Sequence, residues 1–224
     1  RRAVIESAER ANARERYLVQ EPMAAALGIG LDVEQPEGHM IIDIGGGTTE
    51  IAVIALSGIV TDQSLRVAGD DFTYDIIEHV KRQHNILIGE RTAEQIKIHV
   101  GAAIQELDNP PEDFPVHGRD LLTGIPKQVI VTYVEIAAAL DKSISKIEEG
   151  IMRALESTPP ELASDIYQKG LYLTGGGALL RGLDKRISLK TKLPVQVAED
   201  PLRAVVRGTG LALKNRHKYT FLLS

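Results

Sequence analysis

The chain has 224 residues, 43% of them hydrophobic and 25% charged, with a net charge of −5. This is an ordinary globular composition, long enough for one large domain or two small ones. No basic block stands out, Trp is absent and aromatics reach only 4%, so nucleic acid is not an indicated partner. The absence of cysteine excludes disulfides and thiol chemistry and fits a cytosolic protein. No apolar run approaches the ~18 residues that span a bilayer, and no signal peptide is evident.

In chain order, residues 1–14 open inside an amphipathic helix with Val4, Ile5, Ala8 and Ala11 on one side. A strand is predicted over 17–19, then a small-residue helix over 23–28, with Pro22 suited to its first turn. Glu21 stands where that strand gives way to the helix. This is a common place for a functional side chain in α/β proteins and equally a good place for an acidic residue at a helix N-terminus.

Next comes Asp43-Ile44-Gly45-Gly46-Gly47-Thr48-Thr49-Glu50, flanked by Met40-Ile41-Ile42 and Ile51-Ala52-Val53-Ile54. Two apolar β-forming runs around consecutive glycines read as a hairpin. Such a turn offers N–H groups to an anion, and an acid at its entrance suits a metal-bound water. The plainer alternative is a tight turn that needs glycine for its geometry, and the stretch alone does not choose between them.

A third strand-like run spans 59–67 and completes an antiparallel meander feeding a larger sheet. Gly69-Asp70-Asp71 opens a helix with Phe72, Ile76, Ile77 and Val80 on one face. Thr92 has the spacing of an N-cap with Gln95 at N3, starting a helix that buries Ile96, Val100, Ile104 and Leu107. Glu94 and Lys97 project together from it, either as a solvated ion pair or as a polyol-binding pair. Residues 108–126 are loop-rich and close a small subdomain that begins near Val67; a strand over 127–132 is expected to return to the main sheet.

A long helix follows over 135–156, with Ile136, Leu140, Ile144, Ile147, Ile151 and Leu155 at helical spacing. Leu171-Tyr172-Leu173-Thr174-Gly175-Gly176-Gly177-Ala178 is a strand running into glycines and then a helix, where a ligand can lie against bare backbone. A strand over 194–197 and a last helix over 202–213 finish the chain. In that helix Ala204, Val205 and Gly208 suit close packing. The six histidines show no i, i+4 ligand pair, and no Ser–His–Asp set can be argued.

Taken in order, Glu-Pro-x-Ala-Ala-Ala, Asp-Ile-Gly-Gly-Gly-Thr-Thr, Thr-Ala-Glu-x-x-Lys and Leu-Thr-Gly-Gly-Gly resemble the actin, heat-shock chaperone and sugar-kinase superfamily. The details are similar to MreB, the bacterial actin family that shapes rod cells. The resemblance implies an α/β fold of the ribonuclease H-like actin type, a mixed sheet flanked by helices, with a small α+β subdomain inserted. Residues 1–24 and 200–224 would be a remnant of the first domain, 25–66 and 126–199 the second large ATPase subdomain, and 67–125 the small insert. The family's opening phosphate hairpin is not found, so the chain is expected to be N-terminally truncated and, by itself, to bind ATP weakly and hydrolyse it little.

The resemblance also assigns roles. Asp43 would hold Mg2+ through water. Gly45, Gly46 and Gly47 would contact the β- and γ-phosphates of ATP or ADP. Glu21 would orient or activate the attacking water, with Thr48 helping to position it. Glu94 and Lys97 would contact ribose and adenine, and Gly175, Gly176, Gly177 and Ala178 would lie beneath the adenosine. The implied function is a filament subunit that associates with itself, with membrane-bound shape and wall-synthesis proteins, and with the inner face of the bacterial membrane. A chaperone-type nucleotide domain, an FtsA-like division adaptor and a sugar kinase are the alternatives.

Overall fold

The computed structural model describes residues 2–219, 221 and 222. Its first helix, α1 (Arg2–Arg10), is shorter than the periodicity suggests, and the expected start at Arg1 lies outside the described residues. The 17–19 run is not a strand; it makes only a single bridge, at Leu18.

Helix α2 (Glu21–Gly28) begins at Glu21, with Pro22 in its first turn. It leads into the meander β1 (His39–Ile44), β2 (Thr49–Ala55) and β3 (Gly58–Leu65), all antiparallel. Every residue of β1 is buried, as a central strand covered on both faces should be. Strand β1 also pairs in parallel with β7 (Leu171–Thr174), which pairs in parallel with β8 (Val195–Val197). The main sheet therefore has the mixed order β3-β2-β1-β7-β8. Helix α6 (Pro160–Lys169) precedes β7, and its Asp165 carboxylate accepts the Gly38 N–H at 2.8 Å, just before β1.

Alternation along β1 and β2 splits the apolar interior in two. Ile41 and Ile54 face α2 and α8 (Ala204–Lys214), packing with Met23, Ala26, Leu27 and Ala212. Met40, Ile42, Ile51 and Val53 face the opposite layer, where α5 (Tyr133–Glu156) supplies Ile144, Ile147 and Ile151. Helix α5 is started by a reciprocal cap between Thr132 and Glu135. Arg186 of α7 (Leu183–Thr191) is tied to α5 through Glu148, with its Nε 2.9 Å from one carboxylate oxygen.

Against α3 (Gly69–His84) and α4 (Glu90–Val100) lies a second sheet, β4 (Ile86–Leu87), β5 (Phe114–Asp120) and β6 (Pro126–Val131). This corrects the expectation that residues 127–132 return to the main sheet. They form β6, which pairs antiparallel with β5, Val116 opposite Val129. The turn between them is closed by Asp120, whose Oδ1 accepts from the N–H groups of Leu122 and Thr123. Of β6, Val131 is buried and Val129 partly so, both packing on the core from this second sheet.

Helix α4 starts at Glu90 with Gly89 as its N-cap, not at Thr92. The N–H groups of both Thr92 and Ala93 already bond back to Gly89 O. The helix ends at Gly101, so Ile104 and Leu107 lie beyond it, where both would meet a Cβ placed on Gly182.

Helices α2 and α8 meet backbone to backbone. A Cβ on Gly28 would stand 1.8 Å from Ala204 O, and one on Gly208 would stand 1.7 Å from Ala24 O. The close packing expected of Ala204 and Gly208 is thus realised, in an antiparallel crossing that admits no side chain.

Candidate functional site

Because β1 and β7 are parallel neighbours, they end at the same edge of the sheet, Asp43 opposite Thr174. The two glycine clusters, far apart in sequence, follow these two strands and become adjacent. The carboxyl ends of parallel strands are where α/β sheets open a crevice. Here the crevice is a cavity of about 770 Å³, bordered by Glu21, Asp43, Gly45, Gly46, Glu94, Lys97 and Gly175 to Gly177. That volume lies within the range of small-molecule sites.

Four elements and the turn after β1 deliver these groups. Glu21 is the first residue of α2, Asp43 the penultimate residue of β1, and Glu94 and Lys97 lie on α4. The short helical turn Gly176–Leu179 follows β7. Gly47, Thr48 and Ala178 stand outside the cavity wall: Thr48 is exposed at the hairpin tip, and Ala178 is buried beneath the second glycine turn.

Residues not singled out from sequence complete the lining, among them Asp70, Phe72, Ile98, Leu180, Leu202 and Val205. Asp70 carried a signal, since Gly69-Asp70-Asp71 marked a helix start. The apolar members carried none, because nothing local separates a cavity-lining leucine from a core one.

The two glycine turns are built differently. None of Gly45, Gly46 and Gly47 has a left-handed φ. A Cβ on Gly46 would meet nothing closer than Asp70 Oδ1 at 3.5 Å, an ordinary contact. The Gly45 N–H closes the turn onto Thr48 O at 2.9 Å, while the carbonyls of Gly45 and Gly46 accept from the N–H groups of Gly69 and Asp70. Among the described residues the N–H groups of Gly46 and Gly47 have no partner. Turn geometry therefore does not demand glycine at 46 and 47, where neither the backbone hand nor a close neighbour excludes a side chain.

Gly175 has φ +80°, and a Cβ there would collide with Ile44 O at 2.3 Å. Gly177 is pressed to 2.2 Å from Ile44 Cγ2 by the same measure. In the second turn the fold itself requires glycine.

Asp43 is 4% exposed, and its Oδ2 and the Thr174 hydroxyl have no hydrogen-bond partner among the described residues. Burial is the main reason its carboxyl is raised to about 6; the Glu21 charge adds to this, the nearby Thr174 hydroxyl opposes it, and Glu50 adds a little. A buried carboxylate without a partner, beside a second acid, is donor chemistry that fits a cation. The charges around the cavity agree, with Glu21, Asp43, Asp70 and Glu94 against Lys97. An anion as charged as a polyphosphate would enter such a site only with a divalent cation.

The Lys97–Glu94 pair is half solvated, with Lys97 largely covered and Glu94 exposed. Their 2.7 Å contact continues into a network in which Lys97 Nζ donates to Gly69 O at 2.8 Å and to Thr73 Oγ1 at 3.0 Å. The Thr73 hydroxyl lies 3.1 Å from Glu94 Oε2. The network fixes both side chains at the start of α3, next to the first glycine turn.

A mixed sheet with paired glycine turns at its parallel core and a smaller sheet inserted after the meander defines an α/β domain of the actin fold. MreB5 of Spiroplasma citri, solved with AMPPNP, matches with a TM-score of 0.90 at 38% identity, over 97% of this chain and 65% of that one. Its ADP-bound form matches equally well. The family model described as MreB/Mbl protein covers residues 1–220, and the chain belongs to that family. Cell shape-determining protein MreB of Escherichia coli (strain K12) is 50% identical over 214 residues, 96% of this chain. Cell shape-determining protein Mbl of Bacillus subtilis (strain 168) is 44% identical over 217 residues, 97% of this chain. The chain spans 61% of the first of these relatives and 65% of the second.

Proposed function

We propose that the chain is the nucleotide-binding part of an actin-like filament subunit that directs rod shape and wall synthesis from the cytoplasmic face of the membrane. One observation carries the reading: both glycine turns, the Glu21–Asp43 pair and the Glu94–Lys97 pair border a single cavity. The names of the relatives and the nucleotides in the Spiroplasma citri structures support it.

In this reading the free N–H groups of Gly46 and Gly47 hold the terminal phosphates of ATP, and Gly175 to Gly177 carry the adenosine. Glu94 and Lys97 bind the ribose. Asp43, with Glu21 beside it, would hold Mg2+, which would supply positive charge against the phosphates. Glu21 orients water toward the terminal phosphate, helped by Thr48 at the hairpin tip. Such a site works by positioning and by charge, and needs no covalent step. The small unit beginning at residue 67 is placed to meet the next subunit of a filament, and nucleotide state sets how well subunits stack. Membrane-bound shape and wall-synthesis proteins would be its further partners.

The test is a titration of the chain with a fluorescent ATP analogue with and without Mg2+, paired with sedimentation in ATP. Saturable, Mg2+-dependent binding that weakens at least about tenfold in Glu94→Ala is expected. Binding indifferent to both Mg2+ and that substitution would sink the assignment.

A further inference from the structure

Away from the cavity, His79 and His84 of α3 converge on one carboxylate oxygen of α5. His79 Nε2 lies 3.1 Å and His84 Nε2 2.7 Å from Glu135 Oε2. The sequence hid this group because the histidines are five residues apart, off the one-face spacing of a helix, and the third member lies fifty-six positions past His79.

We infer that His79, His84 and Glu135 form a binding site for a borderline divalent transition metal ion, of which Zn2+ is the type. The three ligand atoms lie within 4.8 Å of one another. In a tetrahedral site with bonds of about 2.0–2.1 Å, ligand atoms stand roughly 3.3 Å apart, so only small side-chain rotations separate this cluster from a coordinated one. Two imidazoles and one carboxylate favour zinc-like ions over Mg2+ or Ca2+, which take oxygen.

The carboxylate is also held in place. Its Oε1 accepts the Thr132 N–H at 2.7 Å, which leaves Oε2 to face the histidines. A ligand oriented by a hydrogen bond to its other atom is what metal sites commonly use. The three side chains are partly covered, at 12%, 21% and 22% exposure, which shelters the ion and leaves room for a water as fourth ligand. A bound ion would clasp the last turn of α3 to the first turn of α5.

The test is calorimetric titration of the full chain with Zn2+ at neutral pH, with Mg2+ in excess to occupy any oxygen site. Parent, His84→Gln and Glu135→Gln are compared; glutamine at 135 keeps the acceptor that caps α5. One Zn2+ per chain is expected. Each variant should weaken it by at least about a hundredfold, since outer-shell losses alone cost 10–100-fold. A second readout does not depend on the variants folding. One equivalent of Zn2+ should move the ring-nitrogen NMR signals of His79 and His84 and leave those of His99 and His117 in place. No saturable binding, unchanged affinity in both variants, or shifts confined to other histidines would overturn the assignment.

Discussion

The two glycine turns have nearly the same letters and opposite reasons for them. At 175–177 the fold dictates the residue: a left-handed backbone at Gly175, and no space between Gly177 and Ile44. At 46 and 47 the fold is indifferent, since the backbone is of the ordinary hand and nothing would stand closer than 3.5 Å to a Cβ on either. One cluster is glycine because of what is inside the protein; in the proposed reading, the other is glycine because of what comes to it. A glycine run is thus functional evidence only after its steric surroundings are known.

Gly175→Ala tests this difference most severely. It adds backbone strain and a clash with Ile44 O, so unfolding in denaturant should show a loss of at least about 3 kcal/mol. A midpoint equal to the parent's would break the comparison.

Asp43, between the two turns, comes next. Its folded pKa of about 6 exceeds the ordinary 3.8, the reverse of a carboxylate stabilised by partners. The folded protein holds this proton more tightly, so the contribution of Asp43 to stability is greatest below about pH 4, falls as pH rises, and stays lower above about pH 6. Asp43→Asn removes that dependence and should stabilise the chain near neutral pH by about 1–3 kcal/mol, at about 1.4 kcal/mol for each tenfold difference in proton affinity. Thermal midpoints followed from pH 4 to pH 8 would show it as a gap that closes on acidification. Mg2+ should raise the parent's neutral-pH midpoint and leave the variant's unchanged.

The smallest structural effect belongs to the first turn. Gly46→Ala should change stability by no more than about 0.5 kcal/mol, yet lower nucleotide affinity at least about tenfold. Equal losses of stability at 46 and 175 would erase the distinction.

Much of this was legible in the sequence, for identifiable reasons. The meander, the capped α5 and the strand leading into Gly175 rest on local signals: alternation, 3.6-residue periodicity, turn residues. The strand expected at 17–19 is only a single bridge, and the cap assigned to Thr92 lost to Gly89, whose carbonyl already takes the N–H groups of Thr92 and Ala93. The fate of β6 depended on which partner was nearer, a fact of topology and not of its own residues. At the site, Glu21, Asp43 and both glycine clusters drew attention in advance by their places at strand ends, but the residues alone left each open and the resemblance supplied the roles. Leu202, Val205 and Ile98 could not, since a cavity wall and a core are written with the same letters.

The crossing of α2 and α8 has a mechanical consequence. Carbonyl oxygens sit where side chains would act as spacers, at Gly28 against Ala204 and Gly208 against Ala24, so the pair cannot be squeezed closer. Two such contacts lie about one helical turn apart on each helix, so together they hold the spacing and the crossing angle. Glu21 at the start of α2 and Val205 at the start of α8 both border the cavity. The crossing is therefore a rigid frame for the cavity mouth.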